Sequence, residues 1–373
     1  MKSEDSAFQT EGKAKFQIGH AFYRQTSQVA RDLGILAATL YRYDTGRLRI
    51  IDAMTGCGVR TLRYWLESGA DWIIANDSNP DLRAILENNL KESIASGHCQ
   101  IIYTDANRLF FERYNHRDYY DLVDVDSFGS AAPYFQTALW ATKIGGLLYL
   151  TSTDGRTATG HSPQNSLNIY GAYARTHPAS QEQVLRLLIG NVQKAAACMG
   201  LGVEPIFSLF TGQTYRVMVR LMPKACLTPE NYGFIGYCHR CGDYQTIFWH
   251  KLGKIVCQCE SPSMSIKVSG PMWLGKLHDR EYLERMKNLA QQLEWSQRVE
   301  LLGAMKAEAE LPPYFYTLRE IGRRGKIDLP KRSRLIEALQ AVGYRATVTH
   351  IDAQAIKTDA KIATCIAIGQ ALS

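Results

Sequence analysis

The sequence contains no run of about 20 consecutive apolar residues, which argues against a membrane-spanning helix. It also lacks an apolar leader, because the opening residues MKSEDSAFQTEGKAKF are mostly polar or charged, so a secretory signal is not expected. No internal repeat or low-complexity tract is present. These absences favour an ordinary globular protein of 373 residues, which we expect in the cytoplasm.

Neither sign of charge dominates the chain. The 43 Lys and Arg residues exceed the 36 Asp and Glu residues by a net charge of +7. This excess permits a polyanionic partner without requiring one, so the distribution of the basic residues matters more than their number. Nothing in the composition indicates an obligate protein partner.

Short apolar runs alternate with helical spacing through the first half of the chain. The runs end near Asp52, Asp77, Asp105 and Asp126. This alternation predicts an α/β fold with a parallel sheet and helices on both faces. Two further runs, VEPIFSLF and TYRVMVRLM, are separated by a short turn at Gly212 and predict an antiparallel hairpin. A closing hairpin favours a Rossmann-like sheet of the class I methyltransferase type over a dehydrogenase-type sheet.

The second half of the chain has a different composition. We expect a smaller α+β C-terminal domain over 224–373, after an α/β domain over 1–223. The smaller domain contains the cysteine-rich segment 238–259 and a helical stretch over about 278–309. Its tail, 314–373, suggests two short helices and two or three strands.

A glycine turn, DAMTGCG, joins the first strand to a helix. The small residues Gly56 and Gly58 let the backbone approach a ligand, and the following helix start offers unpaired N–H groups. The full G-x-G-x-x-G pattern fails because Thr61 stands where the third glycine would be. Alone, this turn is also compatible with a tight strand–helix connection that binds nothing.

Acidic residues close the next two strands. Asp77 is placed to accept hydrogen bonds from both ribose hydroxyls of a nucleoside. Asp105, followed by Ala106, can accept one from an adenine amino group. A single acid at a strand end is more often a helix cap, but three successive acidic turns suit one nucleoside across the sheet edge. A nicotinamide cofactor would fit these acids too, although no residue pair resembles a hydride-transfer site.

The segment DVDSFG follows the fourth strand and carries the most specific chemistry. A carboxylate can accept a hydrogen bond from an aryl amine and take its proton as a carbon–nitrogen bond forms. A neighbouring aromatic ring can stack on the base and hold it in line with a methyl donor. Asp126 and Phe128 fit these two roles. The alternative is a surface turn with a phenylalanine that packs in the core.

Several motifs together resemble the tRNA guanine-N2 dimethyltransferase family, and they span nearly the whole chain. They are EGKAKF, FYRQTSQVARD, DAMTGCGVRTLR, ANDSNPD, TDANRLF, DVDSFGSAAPY, STDG, PMWLGKL, IGRRGKI and THIDAQAIKTDA, in that order. The resemblance implies that S-adenosylmethionine is the methyl donor and that N2 of guanosine 26 in tRNA receives one or two methyl groups. In some bacterial members a neighbouring position is also modified.

The resemblance also implies roles for particular residues. Arg60, Asp77, Asp105 and Ala106 would contact the methyl donor, and Asp126 would be the catalytic acid-base residue. The family usually has D-P-F-G, whereas Ser127 replaces the proline here, which removes a stiffening element from the loop. The family's F-Y-N-P segment reads FYRQ, so Arg24 and Arg31 both stay candidates for an arginine that contacts the cofactor.

Four of the nine cysteines are clustered in sequence. They form two pairs at a spacing that can close a tetrahedral zinc site between two loops: Cys238, Cys241, Cys257 and Cys259. Four protein ligands would leave no open position, so the zinc would be structural. His239 or His250 could replace one thiolate, and free thiols without a metal are the alternative.

A basic segment lies between residues 319 and 334. It contains only two acidic residues against seven basic ones: Arg319, Arg323, Arg324, Lys326, Lys331, Arg332 and Arg334. Such an excess suits contacts with RNA phosphates, although a solvated helix face is the usual alternative. We also expect Lys357, within THIDAQAIKTDA, to contact RNA.

The sequence therefore predicts an S-adenosylmethionine-dependent tRNA methyltransferase. Two other classes stay open: a methyltransferase for an exocyclic amine in ribosomal RNA or DNA, and a zinc-containing RNA-binding protein without catalysis.

Overall fold

The computed structural model describes residues 8–257, 259, 264–328 and 331–372. The first half of the chain alternates strands and helices as expected. Its elements are β1 (Phe8–Glu11), β2 (Ala14–Gln17), α1 (Gln28–Thr45), β3 (Arg49–Asp52), α2 (Val59–Ser68), β4 (Trp72–Asn76), α3 (Arg83–Ala95), β5 (Cys99–Ile102), α4 (Ala106–Asn115), β6 (Tyr120–Asp126), α5 (Phe135–Ala141), β7 (Thr142–Ser152), α6 (Pro163–Tyr170), α7 (Ser180–Ala197), β8 (Gly202–Thr211) and β9 (Thr214–Met222).

Seven of these strands form the central sheet, in the order β5-β4-β3-β6-β7-β9-β8. The first five are parallel, and their interior residues are almost wholly apolar and buried, as in Ile50, Ile74 and Val123. The interior residues of parallel strands are apolar on both faces because helices cover both faces of the sheet. The predicted mixed α/β architecture with a large, mostly parallel sheet is therefore confirmed.

The predicted hairpin is also confirmed. β8 pairs with β9 in antiparallel register, and β9 runs antiparallel to β7. Gly212 lies in the connecting turn with a positive φ of 63°, a conformation that glycine adopts without steric cost. As a result, β9 begins at the same edge of the sheet at which the parallel strands end.

The second half contains three small sheets and five helices among its described residues. Its elements are β10 (Tyr232–Tyr237), β11 (Tyr244–Ile247), β12 (Val256–Cys257), β13 (Met264–Ser265), β14 (Lys267–Trp273), α8 (Arg280–Gln292), α9 (Ser296–Glu308), β15 (Tyr316–Thr317), α10 (Leu318–Gly325), α11 (Arg332–Ala341), β16 (Ala346–Val348), β17 (Ala355–Thr358) and α12 (Ile362–Leu372).

Two expectations for this half need correction. The helical stretch over 278–309 is two helices, because the chain turns at Glu294, which has a positive φ of 60°, and no glycine or proline marks that turn. The tail holds three helices rather than two, together with three strands, because α12 follows β17 closely.

The two halves pack against each other extensively. The Tyr282 hydroxyl of α8 donates a hydrogen bond to the Ala37 carbonyl of α1 at 2.9 Å, and Arg298 of α9 pairs with Asp32 at 2.7 Å. The division into domains at residue 223 stays a prediction. Among the described residues, none of the helices combines the length and apolarity needed to cross a lipid bilayer.

Candidate active site

A cavity of about 740 Å³ opens at the edge of the sheet where the parallel strands end. The glycine turn after β3, the ends of β4 and β6, and the start of β9 line it, together with the chain before α1. This is the edge at which open α/β sheets bind ligands. The cavity brings together all of the residues expected to bind the cofactor and both expected catalytic residues.

The glycine turn and Asp77 are directly linked. The Gly56 N–H donates to Asp77 Oδ2 at 3.0 Å, and the Asn79 N–H donates to Asp77 Oδ1 at 3.0 Å. Gly56 has a positive φ of 57°, which favours glycine at this position. Asp77 is therefore held beside the turn with both carboxylate oxygens oriented.

Asp105 and Ala106 lie at the start of α4. The Asp105 carboxylate accepts a hydrogen bond from the Arg108 N–H at 3.2 Å, so it caps the helix, and it is exposed. Ala106 is buried. The capping role and a contact with a nucleoside are compatible, because one carboxylate has about four acceptor sites.

Asp126 lies at the end of β6, and its side chain is 28% exposed toward the cavity. Its carboxylate is bound by two arginines: Arg60 Nη2 lies 2.5 Å from Oδ2, and Arg216 Nη2 lies 3.1 Å from Oδ1. Arg60 also contacts Asp124 at 3.0 Å, and the Tyr64 hydroxyl donates to Asp124 at 2.7 Å. We call Asp124, Asp126, Arg60 and Arg216 the open charge cluster.

Charge and burial set the protonation of these carboxyls. Burial raises the pKa of Asp126, but the positive charges of Arg216 and Arg60 outweigh it and hold the pKa below its ordinary value. Burial raises the pKa of Asp124, although Arg60 opposes the rise. Burial and the neighbouring Asp124 raise the pKa of Asp52 to about 7. Asp126 is therefore the carboxylate of this group most firmly ionised at neutral pH.

Phe128 is not a core residue. Its side chain is 71% exposed, and its ring meets that of Phe22 edge-on at 4.8 Å between centroids. The loop that carries it is fixed by hydrogen bonds, because the Ser127 hydroxyl donates to the Thr151 carbonyl at 3.0 Å and the Gly129 N–H donates to Thr153 Oγ1 at 2.8 Å. These bonds supply the restraint that proline provides in the usual motif.

The two arginines of the N-terminal arm differ in their surroundings. Arg31 is buried and pairs with Glu11 at 2.5 Å. Arg24 is exposed, with its guanidinium carbon 5.6 Å from the centre of the Phe22 ring. Both line the cavity, so either could approach a ligand.

The four clustered cysteines meet as expected. Their sulfurs all lie within 4.8 Å of one another, with 3.9 Å between Cys238 and Cys259 and 3.5 Å between Cys241 and Cys257. Burial raises the pKa of the Cys238 thiol, but backbone N–H groups of the loop lower it to about 7. His239 and His250 are not part of this cluster.

The basic segment is only partly free to contact RNA. Arg323, Lys326 and Lys331 are exposed, whereas Arg332 donates to the Ala353 carbonyl at 2.6 Å. The Arg324 side chain is 9% exposed.

Arg324 ties its helix to the cysteine loop. Its guanidinium bonds Glu320 at 2.9 Å and the His239 carbonyl at 3.1 Å, and it also donates to the Arg240 carbonyl. These bonds leave little of Arg324 for a phosphate.

The expectation that Lys357 contacts RNA is contradicted. Lys357 is 1% exposed, and its ammonium lies 2.7 Å from Glu182 Oε1 and 3.9 Å from Glu308 Oε2. It sits on β17, all four residues of which are buried. A charge enclosed in this way cannot reach an RNA phosphate at the surface.

Arg216 is the functional candidate that sequence reasoning missed. It lies in the run TYRVMVRLM, which predicts only a strand of the closing hairpin. The available signal was its position: the first residues of an antiparallel strand meet the edge at which its parallel neighbours end.

The sheet and its cavity define the class: an open α/β fold with a polar cavity at the carboxyl ends of its parallel strands, the edge at which such folds bind their ligands. The family model described as N2,N2-dimethylguanosine tRNA methyltransferase matches residues 4–370. The chain belongs to this family.

Individual relatives agree with this assignment. The chain is 31% identical to the tRNA (guanine(26)-N(2))-dimethyltransferase of Pyrococcus abyssi, over 94% of this chain and 95% of that protein. It is 30% identical to the enzyme of the same name from Aeropyrum pernix, over 91% and 86% of the two chains. The solved structure of Trm1 from Pyrococcus horikoshii in complex with S-adenosyl-L-methionine matches with a TM-score of 0.84 and 28% identity, covering 97% of this chain and 99% of that one.

Proposed function

We propose that this chain transfers one or two methyl groups from S-adenosylmethionine to N2 of guanosine 26 in tRNA. One observation carries the proposal: a carboxylate paired with two arginines, Asp126, and an exposed aromatic ring, Phe128, stand together at the cavity into which the glycine turn and the acidic strand ends also open. Membership of the family supports it.

The residues of the sheet edge suit the methyl donor. Gly56 and Asp77 would hold the ribose, and Asp105 with Ala106 would hold the adenine. Arg60 would act on the donor indirectly, since both of its terminal nitrogens are bound to Asp124 and Asp126. When bound, S-adenosylmethionine supplies an electrophilic methyl group.

Asp126 and Phe128 would act on the target base. A guanine in the stacked tRNA core must leave its stack to enter a pocket, and an exposed ring can receive it. Phe128 would stack on the base and keep N2 in line with the methyl group. The Asp126 carboxylate would accept a hydrogen bond from N2 and then the proton that N2 releases as it becomes methylated.

The exposed basic residues would bind the tRNA backbone. Arg323 lies on α10, Lys326 follows it, and Lys331 precedes α11. These side chains carry positive charge at the surface and would pair with phosphates without reading sequence. Arg332, the first residue of α11, is half-buried and would contribute less, because it already donates to the Ala353 carbonyl. Arg324 would contribute by holding the cysteine loop against α10.

The cysteine cluster would hold a structural zinc ion. Tetrahedral zinc with bonds of about 2.3 Å to sulfur separates its ligands by about 3.8 Å. The separations of 3.5 Å and 3.9 Å between paired sulfurs fit that geometry. Because Arg324 binds the carbonyls of His239 and Arg240 between the first two cysteines, the metal would stabilise the loop on which α10 rests.

Nucleoside mass spectrometry on unmodified tRNA tests the reaction. We expect N2-methylated guanosine with the wild-type protein and not with Asp126→Ala, and no product when guanosine 26 is replaced by adenosine. Asp81→Ala, which removes an exposed carboxylate outside the cavity, is the matched control and should act like wild type. Ribosomal RNA and DNA serve as competing substrates. Equal product from Asp126→Ala, or preferential methylation of another nucleic acid, would refute the proposal.

Metal analysis tests the zinc site. We expect about one zinc per chain, lost in Cys238→Ser and kept in Cys198→Ser, because Cys198 lies on the surface outside the cluster. Loss of zinc should lower the melting temperature and weaken tRNA binding while S-adenosylmethionine affinity, measured by calorimetry, stays unchanged. The proposed zinc site would be contradicted if the purified wild-type protein contained no metal and its melting temperature did not change when zinc was added.

A further inference from the structure

The closing hairpin contributes a charged side chain to the reaction centre. Because β9 is antiparallel to β7, Arg216 stands opposite Thr151, which itself pairs with Asp126 on β6. The arginine therefore reaches across one strand to the carboxylate. A sheet closed by a parallel strand would bring that strand's end, not its beginning, to this edge.

Arg216 has little to bind except Asp126. Its side chain is 2% exposed, and Nη2 lies 3.1 Å from Asp126 Oδ1 and 3.4 Å from Oδ2. Nε and Nη1 are buried and have no hydrogen-bond partner among the described residues. The guanidinium carbon lies 6.0 Å from the centre of the Tyr149 ring, and Asp126 is the one hydrogen-bond and ion-pair partner of the side chain among the described residues. A buried guanidinium with a single acidic partner indicates that its role is directed at that partner.

We propose that Arg216 is a positioning residue: together with Arg60 it holds the Asp126 carboxylate ionised and turned toward the cavity. This inference rests on the proposed function, in which Asp126 meets the N2 amine. The two arginines approach from different elements, α2 and β9, so they fix the carboxylate plane rather than only its charge. Arg60 donates to Oδ2, and Arg216 lies 3.1 Å from Oδ1 while its hydrogen bond is directed at Oδ2, so the two guanidinium groups contact both oxygens from two sides.

The arrangement leaves room for a substrate. A carboxylate offers about four acceptor sites, and the two arginines use two or three of them. At least one site is left for the amine N–H of a guanine. The other titratable groups around Asp126 are Asp124 on its own strand, Asp52 on β3, Tyr64 on α2 and Tyr149 on β7. None of these four groups carries a positive charge: the aspartates are acids, and the tyrosines are neutral. The two arginines are therefore the groups that stabilise the negative charge of the Asp126 carboxylate.

The pH dependence of methyl transfer tests the role of Arg216. Single-turnover rates at saturating S-adenosylmethionine would be measured from about pH 5.5 to about pH 8.5 for the wild type, Arg216→Gln and Arg216→Lys. Because Arg216 and Arg60 hold the pKa of Asp126 below its ordinary value, the wild type should show no acid limb from this carboxyl in the measured range. In Arg216→Gln we expect a rate about tenfold lower at neutral pH and an acid limb that enters the range from its low-pH end, because losing the neighbouring positive charge leaves the effect of burial on the pKa of Asp126 less opposed. S-adenosylmethionine affinity should not change.

Arg216→Lys keeps the charge and loses the forked geometry. It should fold, keep the pH profile of the wild type, without an acid limb from Asp126 in the measured range, and transfer the methyl group several-fold more slowly. Arg220→Gln is the matched control: it lies four residues further along β9, on the same face and outside the cavity, and should behave like wild type.

The outcomes separate this inference from the proposed function. If Asp126→Asn is inactive but both Arg216 variants match the wild type in rate and pH profile, Arg216 is not a positioning residue while the proposed function stands. If Asp126→Asn is fully active, the proposed function itself falls. Should Arg216→Gln not fold, a wild-type rate in Arg216→Lys would overturn the inference by itself.

Discussion

Two groups of buried charges in this protein look alike in composition and differ in their surroundings. The open charge cluster faces the cavity through Asp126. A second group, the closed charge cluster, joins the two halves of the chain: Glu182, Arg186, His278, Glu308, His350 and Lys357. All of its side chains are at most 2% exposed.

The charges of the closed charge cluster are paired with one another, although one oxygen of each acid and the Nε2 atom of each histidine have no hydrogen-bond partner among the described residues. Glu182 accepts from Lys357 and from Arg186, each at 2.7 Å, and Glu308 contacts both histidines. The two acids balance the lysine and arginine when both histidines are neutral. Burial and ion pairing are therefore common to both clusters, and the difference between them is that the open charge cluster exposes a carboxylate, Asp126, to the cavity.

The largest effect that we expect from the closed charge cluster is on stability. Lys357→Met should lower the free energy of unfolding by about 3–5 kcal/mol, because removing one partner leaves a buried carboxylate uncompensated. Denaturant unfolding would measure it. Lys331→Met removes the same charge from an exposed site and should change the free energy by less than about 0.5 kcal/mol while weakening tRNA binding. Equal stability losses in the two variants would mean that the buried ion pairs of Lys357 contribute no more to stability than an exposed lysine does.

A smaller effect should appear in the pH dependence of stability. Burial lowers the pKa of His278 from 6.5 to about 4, although Glu308 opposes the shift. Between these values the unfolded chain binds a proton that the folded chain does not, so stability falls as the pH drops through this window, by at most about 1.4 kcal/mol per pH unit. The pKa of Glu308 lies well below its ordinary value of 4.5, so the stability from its ion pairs is fully present above pH 4.5 and is lost as the pH falls from there toward the folded-state pKa.

His278→Gln should flatten this dependence between pH 6.5 and pH 4. Urea unfolding at several pH values would show it, with His116→Gln, an exposed histidine, as the control. A slope that is the same in His278→Gln and in the wild type would mean that His278 does not carry the effect.

The fold and most of the site could be predicted because their signals are local. Apolar runs that end in acidic turns set the strands, and the carboxyl ends of parallel strands meet at one edge, so Asp77, Asp105 and Asp126 had to converge. The cysteine pairs were recognisable from spacing alone. The exposure of Phe128 excludes the alternative in which this side chain packs in the core, and its role in stacking on a base stays a prediction.

The features that sequence reasoning missed depend on long-range contacts. Lys357 and Glu182 are far apart in the chain, and nothing near Lys357 shows that an acid from α7 will enclose it. Arg216 reaches Asp126 only because β9 is reversed and lies beside β7. A local excess of positive charge therefore does not predict whether a basic side chain is exposed or buried, because tertiary packing decides it.

The central claim is that Asp126 acts on the amine of the target base and not on the binding of the methyl donor. The most direct measurement is the single-turnover rate of Asp126→Asn, which keeps the shape of the side chain but not its charge, together with its S-adenosylmethionine affinity by calorimetry. We expect transfer to slow by about 100-fold or more with the donor affinity within a few-fold of wild type. A wild-type rate, or a loss explained entirely by weaker donor binding, would contradict the claim.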